Sequence, residues 1–253
     1  MLAPYTPFYC EENVYQLLSV LSSASATHSR FSRLYAAFVS NLSRRAVLFQ
    51  QKASRAGVDQ GSYVIWDYHV VAVGVLNSEA GEEVRVVVLD RDSRLGEEVE
   101  LADYVLNTFR PDLFAEDFLD PSLESRLRVV PAANFLANFA SDRSHMLLPP
   151  STALDAPLLP SSSLASATPT AASPPPQPSP PPPTYIQPPP PYPPLQGAGA
   201  KQRGETDNLW TRWLDVRLPA EEEEGSATGE KEDEKEGFGV VLEAPADLLR
   251  YKW

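Results

Sequence analysis

Apolar residues near the N-terminus recur with the period of a helix. They stand at i, i+3, i+4 and i+7, at positions Val14, Leu17, Leu18 and Leu21. This spacing is typical of an amphipathic helix that buries one face against a core. Glu11 and Glu12 precede the stripe, where negative side chains complement the helix dipole. The pattern therefore predicts a helix that begins at or just after Cys10.

The next apolar runs have the length and composition of strands. Two short runs, 34–39 and 46–49, are separated by a polar segment and predict a hairpin. Two longer valine-rich runs, 64–76 and 84–90, flank the polar segment 77–83 and predict a second antiparallel pair. The later pattern favours helices over 101–109, 122–127 and 134–140. The expected fold class is α+β, with a helix packed on an antiparallel sheet.

Proline and charge interrupt this pattern twice. Of the 26 prolines, 19 lie between Pro149 and Pro194, and residues 221–236 contain nine acids and two lysines. Neither segment has the apolar residues needed for a core. We therefore expect a single domain with two disordered insertions. Its main part is 1–148, followed by a Pro/Ser-rich insertion at 149–203 and a returning core segment at 204–220. An acidic insertion at 221–236 then precedes a closing strand and helix at 237–253.

Composition narrows the possible partners and compartments. The net charge of −13 argues against nucleic acid, whose binding requires a basic face. The chain contains no apolar stretch of the ~18 to 20 residues that span a bilayer and no signal-peptide pattern, so we expect a soluble intracellular protein. Cys10 is the only cysteine, which excludes an internal disulfide and a multi-thiolate metal site. No metal and no other cofactor is expected.

The valine-rich strand pair predicts one specific contact. If the turn is centred near residues 79 and 80, His69 lies opposite Asp90, and opposed residues share a face with Cβ atoms ~4.5 to 5.5 Å apart. A carboxylate at that distance can bind an imidazole. A slip of one residue would instead place Arg91 opposite His69. The structural alternative is a histidine that only packs in a strand.

Cys10 is the candidate nucleophile because it stands at a predicted helix start. The helix dipole and a neighbouring imidazolium would both lower the pKa of its thiol from the usual ~8.5. A lone cysteine is, however, more often a small buried apolar residue. Spacing alone leaves both interpretations open.

Several segments together resemble the protein N-terminal glutamine amidohydrolase family. They appear in the family's order and cover the chain outside the two insertions: YCEEN at 9–13, YAAFVSN at 35–41, VIWDYHVV at 64–71, LDRDS at 89–93, NFASDRSHM at 138–146, PPPPYP at 188–193 and GFGV at 237–240. The resemblance implies a papain/transglutaminase-like cysteine-hydrolase core and a triad of Cys10, His69 and Asp90. It implies that the side chain of an N-terminal glutamine is hydrolysed to glutamate through a thioester, with release of ammonia.

The same resemblance sets further expectations. It implies protein or peptide substrates with N-terminal glutamine, a monomer, a role in the N-degron pathway, and a location in the cytosol and also the nucleus. A selective site should hold the free α-ammonium group with carboxylates, and the candidates are Glu11, Asp67, Asp92 and Asp142. Strand alternation places Asp67 and Asp92 on the faces of His69 and Asp90, while Trp66 and Tyr68 should face the core.

Other features leave alternatives open. Arg91 departs from the family pattern, in which an apolar residue is expected, and is a candidate competitor for the carboxylate of Asp90. His145 is a candidate to line the cleft or to stabilise a helix end, and His28 is expected to be solvated. The thioester chemistry also allows transglutaminase-like acyl transfer to an amine. Alternatively, the proline run binds an aromatic groove of a partner protein, with weak affinity.

Overall fold

The computed structural model describes residues 3–23, 29–55, 62–79, 81–148, 184–218 and 238–253. The predicted acidic insertion, most of the Pro/Ser-rich insertion and His28 lie outside these residues. The described chain divides into a larger unit, Met1–Asp142 with Pro190–Trp253, and a smaller unit, Arg143–Pro189. No helix in the described ranges is both long and apolar enough to span a membrane.

The larger unit is built on a six-stranded antiparallel sheet. Its strands are β1 (Phe31–Ser40), β4 (His69–Leu76), β5 (Val86–Leu89), β6 (Glu98–Glu100), β7 (Arg126–Pro131) and β10 (Val240–Leu242). The strand order is β10-β7-β1-β4-β5-β6. Two small two-stranded sheets pair β2 (Ala46–Leu48) with β3 (Val64–Trp66), and β8 (Ala140–Ser141) with β9 (Leu195–Gln196). The α+β class is confirmed.

Helices cover both faces of the large sheet. One face packs against α1 (Cys10–Ser23), α4 (Ala132–Asn138) and a π-helical turn, Leu209–Trp213. The other face packs against α2 (Leu101–Tyr104), the π-helical turn Val105–Phe109 and a 3₁₀ segment, Pro245–Arg250. Other helices in the described part of the larger unit are α3 (Pro111–Ala115), a 3₁₀ turn Pro121–Leu123 and α5 (Ala198–Gln202). The central strand β4 is buried along its whole length, as its unbroken valine-rich sequence predicts.

Three predicted elements differ from the structure. The first hairpin is wrong, because β1 pairs with β4 and β7 while β2 pairs with β3. The helix expected over 122–127 is a 3₁₀ turn followed by the start of β7, and the C-terminal helix is a 3₁₀ segment. In the first two cases, long-range strand pairing outweighs the local pattern.

Two boundaries of the expected organisation also differ. Residues 143–148 belong to the smaller unit, where the amide of Leu148 donates to the carbonyl of Thr184 at 2.8 Å. The range 149–203 includes β9 and α5, which pack in the larger unit. A Cβ at Gly197 would lie 2.4 Å from the carbonyl oxygens of Leu136 and Ala137, so this close approach requires glycine. Short elements after a proline run carry too few apolar residues to be recognised by periodicity.

Asn208 joins the returning segment to the end of α4. Its Oδ1 accepts from the amide of Ala140 at 2.9 Å and from the indole of Trp213 at 2.8 Å, and its Nδ2 donates to the carbonyl of Asn138 at 2.8 Å. Trp213 is fully buried and stacks on Phe38 with 5.5 Å between ring centroids. The segment therefore completes one face of the core.

Trp213→Ala should lower the free energy of unfolding by about 3–5 kcal/mol, because the substitution empties a fully buried site and removes one of the two donors to Asn208 Oδ1. Chemical denaturation measures the loss. Trp210→Ala is the matched control, since Trp210 is only partly buried. Equal losses in the two variants would contradict the assignment of Trp213 to the core.

Candidate functional site

His69 and Asp90 form a buried pair at one end of the large sheet. His69 is the first residue of β4 and Asp90 directly follows β5. His69 Nε2 lies 3.2 Å from Asp90 Oδ1, and the two residues are 1% and 2% exposed. The contact predicted from the strand pair is therefore present.

The predicted register is nevertheless wrong. Ala72 pairs with Leu89, so the same register extended would place Val71 opposite Asp90. His69 itself pairs with Val39 of β1. The chain turns directly after β5, where the amide of Ser93 donates to the carbonyl of Asp90 at 3.3 Å. The imidazole thus reaches Asp90 diagonally, which aromatic side chains can do across a sheet.

Two further hydrogen bonds fix the Asp90 carboxylate. The Tyr104 hydroxyl donates to Oδ2 at 2.8 Å, and the amide of Asp92 donates to Oδ1 at 2.9 Å. Burial alone would raise the pKa of Asp90, but His69 and these donors hold the pKa below its usual value. Asp90 is therefore ionised at neutral pH, and its orientation is set by the surrounding donors.

The His69 ring is held on one side and has a nitrogen available on the other. The ring of Trp66 lies 4.7 Å from it, centroid to centroid. Burial favours the neutral imidazole, but Asp90, with smaller contributions from Asp92 and Glu11, raises the pKa of His69 overall. Nδ1 is buried and has no hydrogen-bond partner among the described residues. This nitrogen can therefore accept a proton when Nε2 donates to Asp90.

Cys10 is the first residue of α1 and lines a pocket at this end of the sheet. Asp90 lines the same pocket, together with Asn13, Val70, Arg91 and Asp92. The Cys10 thiol lies 3.7 Å from Glu11 Oε2 and also receives a backbone hydrogen bond from Val70, the residue after His69. The fold therefore brings the cysteine to the neighbourhood of the buried pair.

The expected effect on the thiol pKa is wrong in sign. Burial, followed by the charges of Glu11 and Asp92, raises the pKa of Cys10 well above its usual value. The hydrogen bond from Val70 acts in the opposite direction but is outweighed. The helix start favours a thiolate, but here three carboxylates surround it, because Asp90 also contributes.

The structure separates the four candidate substrate acids into two pairs. Glu11 is fully buried, and its Oε2 accepts from the Tyr68 hydroxyl at 3.0 Å. Asp92 is partly buried and lines the pocket. Asp67 and Asp142 are exposed and do not line that pocket.

Two side chains, Asp67 and Trp66, are oriented differently from the alternation argument. Asp67 lies in a bend between β3 and β4 and accepts from the amide of Tyr68 at 3.0 Å. Trp66 packs against His69 and does not point away from it. Tyr68 is buried, as expected, but its hydroxyl reaches Glu11. The bend at 67 breaks the strand, so a period of two no longer applies across it.

Arg91 does not compete for Asp90. Its Nη1 donates to the carbonyls of Ala3 at 2.9 Å and Pro4 at 3.1 Å, and its guanidinium lies over the ring of Tyr5, 4.7 Å from the centroid. The expected competition is therefore wrong, because the turn after β5 directs Arg91 towards the N-terminal residues.

His69, Asp90 and Asp92 are the group of potential metal ligands in the described part of the chain. Their ligand atoms lie within 4.8 Å of one another. Asp90 already accepts hydrogen bonds at both oxygens.

His145 lies in the 3₁₀ turn Ser144–Met146 of the smaller unit.

Comparison with known proteins places this site in a family. A family model described as N-terminal glutamine amidase matches residues 5–242. The chain belongs to this family. The N-terminal glutamine amidase match includes Cys10, His69 and Asp90 and continues through the returning segment with Trp213.

Curated relatives carry the name protein N-terminal glutamine amidohydrolase. One from Oryza sativa subsp. indica is 37% identical over 142 residues, which is 56% of this chain and 58% of the relative. One from Arabidopsis thaliana is 38% identical over 147 residues, 57% of this chain and 61% of the relative. One from Drosophila melanogaster is 40% identical over 147 residues, which is 57% of this chain and 64% of the relative. The chain thus matches about three fifths of the length of these relatives.

Within this amidase-family chain, three tyrosines at the site were not predicted from sequence. Tyr104 binds Asp90, Tyr68 binds Glu11, and the Tyr5 hydroxyl donates to Asp92 Oδ1 at 2.5 Å. Strand alternation predicted only that Tyr68 faces the core, and no spacing identified the partner of any of the three hydroxyls. For the buried Tyr68 and Tyr104 the available signal is chemical, because a buried tyrosine needs a partner for its hydroxyl, whereas the exposed Tyr5 gives no such signal.

Proposed function

We propose that this chain hydrolyses the side-chain amide of an N-terminal glutamine to glutamate and releases ammonia. The observation that carries the proposal is the match to the N-terminal glutamine amidase family over residues 5–242. The pocket supports it, because a thiol and a buried imidazole–carboxylate pair lie at the same end of the sheet. These groups suit attack on an amide carbon.

The proposed nucleophile is Cys10, activated by His69. With the imidazole proton on Nε2 and shared with Asp90, Nδ1 can take the proton from the thiol. The sulfur then bonds to the carboxamide carbon. His69 returns the proton to the leaving nitrogen, so that ammonia departs and a thioester remains.

Water completes the proposed reaction. His69, neutral again, takes a proton from water, whose oxygen attacks the thioester carbon. The carbon–sulfur bond breaks and the sulfur recovers the proton, which leaves glutamate. Both tetrahedral intermediates carry an oxyanion, and the N–H groups at the start of α1 are the candidate donors.

The charges around the pocket favour a thiolate–imidazolium pair over an isolated thiolate. Carboxylates raise the pKa of Cys10 and also raise the pKa of His69. When the proton moves from the sulfur to the imidazole, the carboxylates of Glu11, Asp90 and Asp92 act on both the thiolate and the imidazolium. The carboxylates that oppose an isolated thiolate thus stabilise the imidazolium beside it.

Glu11 and Asp92 are the proposed partners of the substrate α-ammonium group, because Asp92 lines the pocket and Glu11 lies beside the Cys10 thiol. The exposed positions of Asp67 and Asp142 do not support the same role for them. An N-terminal residue differs from an internal one by a positive charge, which carboxylates can select.

We also propose the wider organisation that the sequence suggests. The α1 helix and the antiparallel sheet would correspond to a papain/transglutaminase-like core, completed by 204–220 and 237–253. Residues 149–183 and 221–236 would be insertions without a part in the chemistry. We propose that the protein is a monomer and acts in the cytosol and nucleus as part of an N-degron pathway.

A panel of short peptides tests the proposed activity. Wild-type protein should release ammonia from a Gln-first peptide and not from Asn-first, N-acetylated Gln-first or internal-Gln peptides. Asparagine is one methylene shorter, and a shift of ~1.5 Å can reduce the rate a hundredfold. The same assays with an added primary amine distinguish hydrolysis from acyl transfer. Amine incorporation would assign the protein to the transferases, and no ammonia from any peptide would reject the proposal.

A further inference from the structure

Residues 3–8, the N-terminal strap, are fixed behind one wall of the pocket. Three neighbouring pocket-lining residues hold the strap: Asn13, Arg91 and Asp92. Asn13 forms a reciprocal pair with Thr6, in which the amide of Thr6 donates to Oδ1 and Nδ2 donates to the carbonyl of Thr6, both at 2.8 Å. The strap is therefore attached to the wall through residues 3–6.

Arg91 makes several of the contacts that hold the strap in place. Its guanidinium donates hydrogen bonds to the carbonyls of Ala3 and Pro4 and lies over the ring of Tyr5. All of these contacts are with the strap. Arg91 also lines the pocket, but its guanidinium is hydrogen-bonded to the strap and not to the neighbouring carboxylates of Asp90 and Asp92. A cationic group of a substrate complements these carboxylates.

Asp92 connects the strap to the pocket. Its Oδ1 accepts the Tyr5 hydroxyl, and its Oδ2 accepts no hydrogen bond within the described residues. Burial and the Asp92 carboxylate raise the pKa of Tyr5, so the hydroxyl remains a donor. One oxygen is thus fixed by the strap, and the other is available at the pocket.

We propose that the strap restricts the enzyme to terminal residues: it closes the pocket beyond the α-amino group, and Tyr5 holds Asp92 in position to bind the ammonium. This proposal rests on the proposed glutamine amidase activity. An acetyl group would remove the positive charge and would also occupy the space that the strap closes. An internal residue would have to continue its chain through the strap.

The test compares Gln-first and N-acetylated Gln-first peptides in the wild-type protein and three variants. In Arg91→Ala, the ratio of kcat/KM for the acetylated peptide to that for the free peptide should rise about tenfold or more, because the strap loses its hydrogen bonds to Arg91. Tyr5→Ala is the second variant. The Tyr5 side chain is 37% exposed, so its removal should leave the protein folded. Arg110→Ala is the matched control, since Arg110 binds Asp112 and lies over Phe49, and its ratio should not change.

Asp92→Asn distinguishes binding of the substrate ammonium group by Asp92 from closure of the pocket by the strap. It should raise KM for the Gln-first peptide about tenfold or more with little change in kcat, because a charged partner of the ammonium is lost. If folded Arg91→Ala and Tyr5→Ala proteins remain as selective as wild type, the strap proposal is overturned while the glutamine amidase activity stands. If the wild-type protein releases no ammonia from any glutamine peptide, the proposed function itself fails, and the strap proposal fails with it.

Discussion

Cys10→Ala is expected to abolish ammonia release from Gln-first peptides, with a loss of about 10⁴-fold or more in kcat, because no other thiol in the chain can form the thioester. A coupled ammonia assay under saturating peptide measures the loss. The variant should remain folded, since alanine fits the space of a small side chain at the start of α1.

The thermal transition of Cys10→Ala provides the control for folding. Mass spectrometry adds a second readout, because a mechanism-based amide analogue should label wild-type protein once and should not label the variant. Ammonia release at the wild-type rate by Cys10→Ala would exclude the thiol as nucleophile.

Asp90→Asn should reduce kcat/KM on the order of 10³-fold or more. The asparagine amide can donate to Nε2 of His69, which would move the imidazole proton to Nδ1 and remove the base that is proposed to deprotonate the thiol. The pKa of His69 should also fall, since Asp90 is the main group that raises it. The limb of the pH–rate profile governed by protonation of His69 should therefore move to lower pH.

Asp92→Asn is the matched variant for this experiment. It removes a carboxylate two residues away but leaves the Asp90 contacts with His69 and Tyr104 in place. Its profile should show a higher KM and a largely preserved kcat. A mild effect of Asp90→Asn combined with a large kcat loss in Asp92→Asn would identify Asp92 as the group that orients His69.

Sequence patterns predicted the parts of this site that depend on local chemistry. The stripe from Val14 to Leu21 predicted α1 and its start at Cys10, because helical spacing is encoded within one turn. The valine-rich runs predicted β4 and β5, and the proximity of His69 to Asp90 followed from their antiparallel pairing. The exact register did not, since the turn between them sets it.

Patterns failed where the result depends on distant residues. Strand β1 is apolar enough to pair with several partners, and its true neighbours, β4 and β7, are separated from it by long segments. The sign of the Cys10 pKa shift depends on burial and on the positions of Glu11 and Asp92. Neither quantity is encoded in a spacing. The same holds for Tyr5 and Tyr104, whose partners are identified only by the folded geometry.

The position of Trp213 has a consequence for synthesis of the chain. Phe38 and Phe135 precede the aromatic ring that covers them by many residues, and strand β10, which completes the edge of the sheet beside β7, comes later still. A nascent chain that has emerged only through β7 and α4 therefore presents uncovered aromatic side chains and an unpaired strand edge. Such surfaces favour self-association and chaperone binding. Strand β10 can pair with β7 only after translation has passed Leu242, so this edge of the large sheet stays unpaired until then.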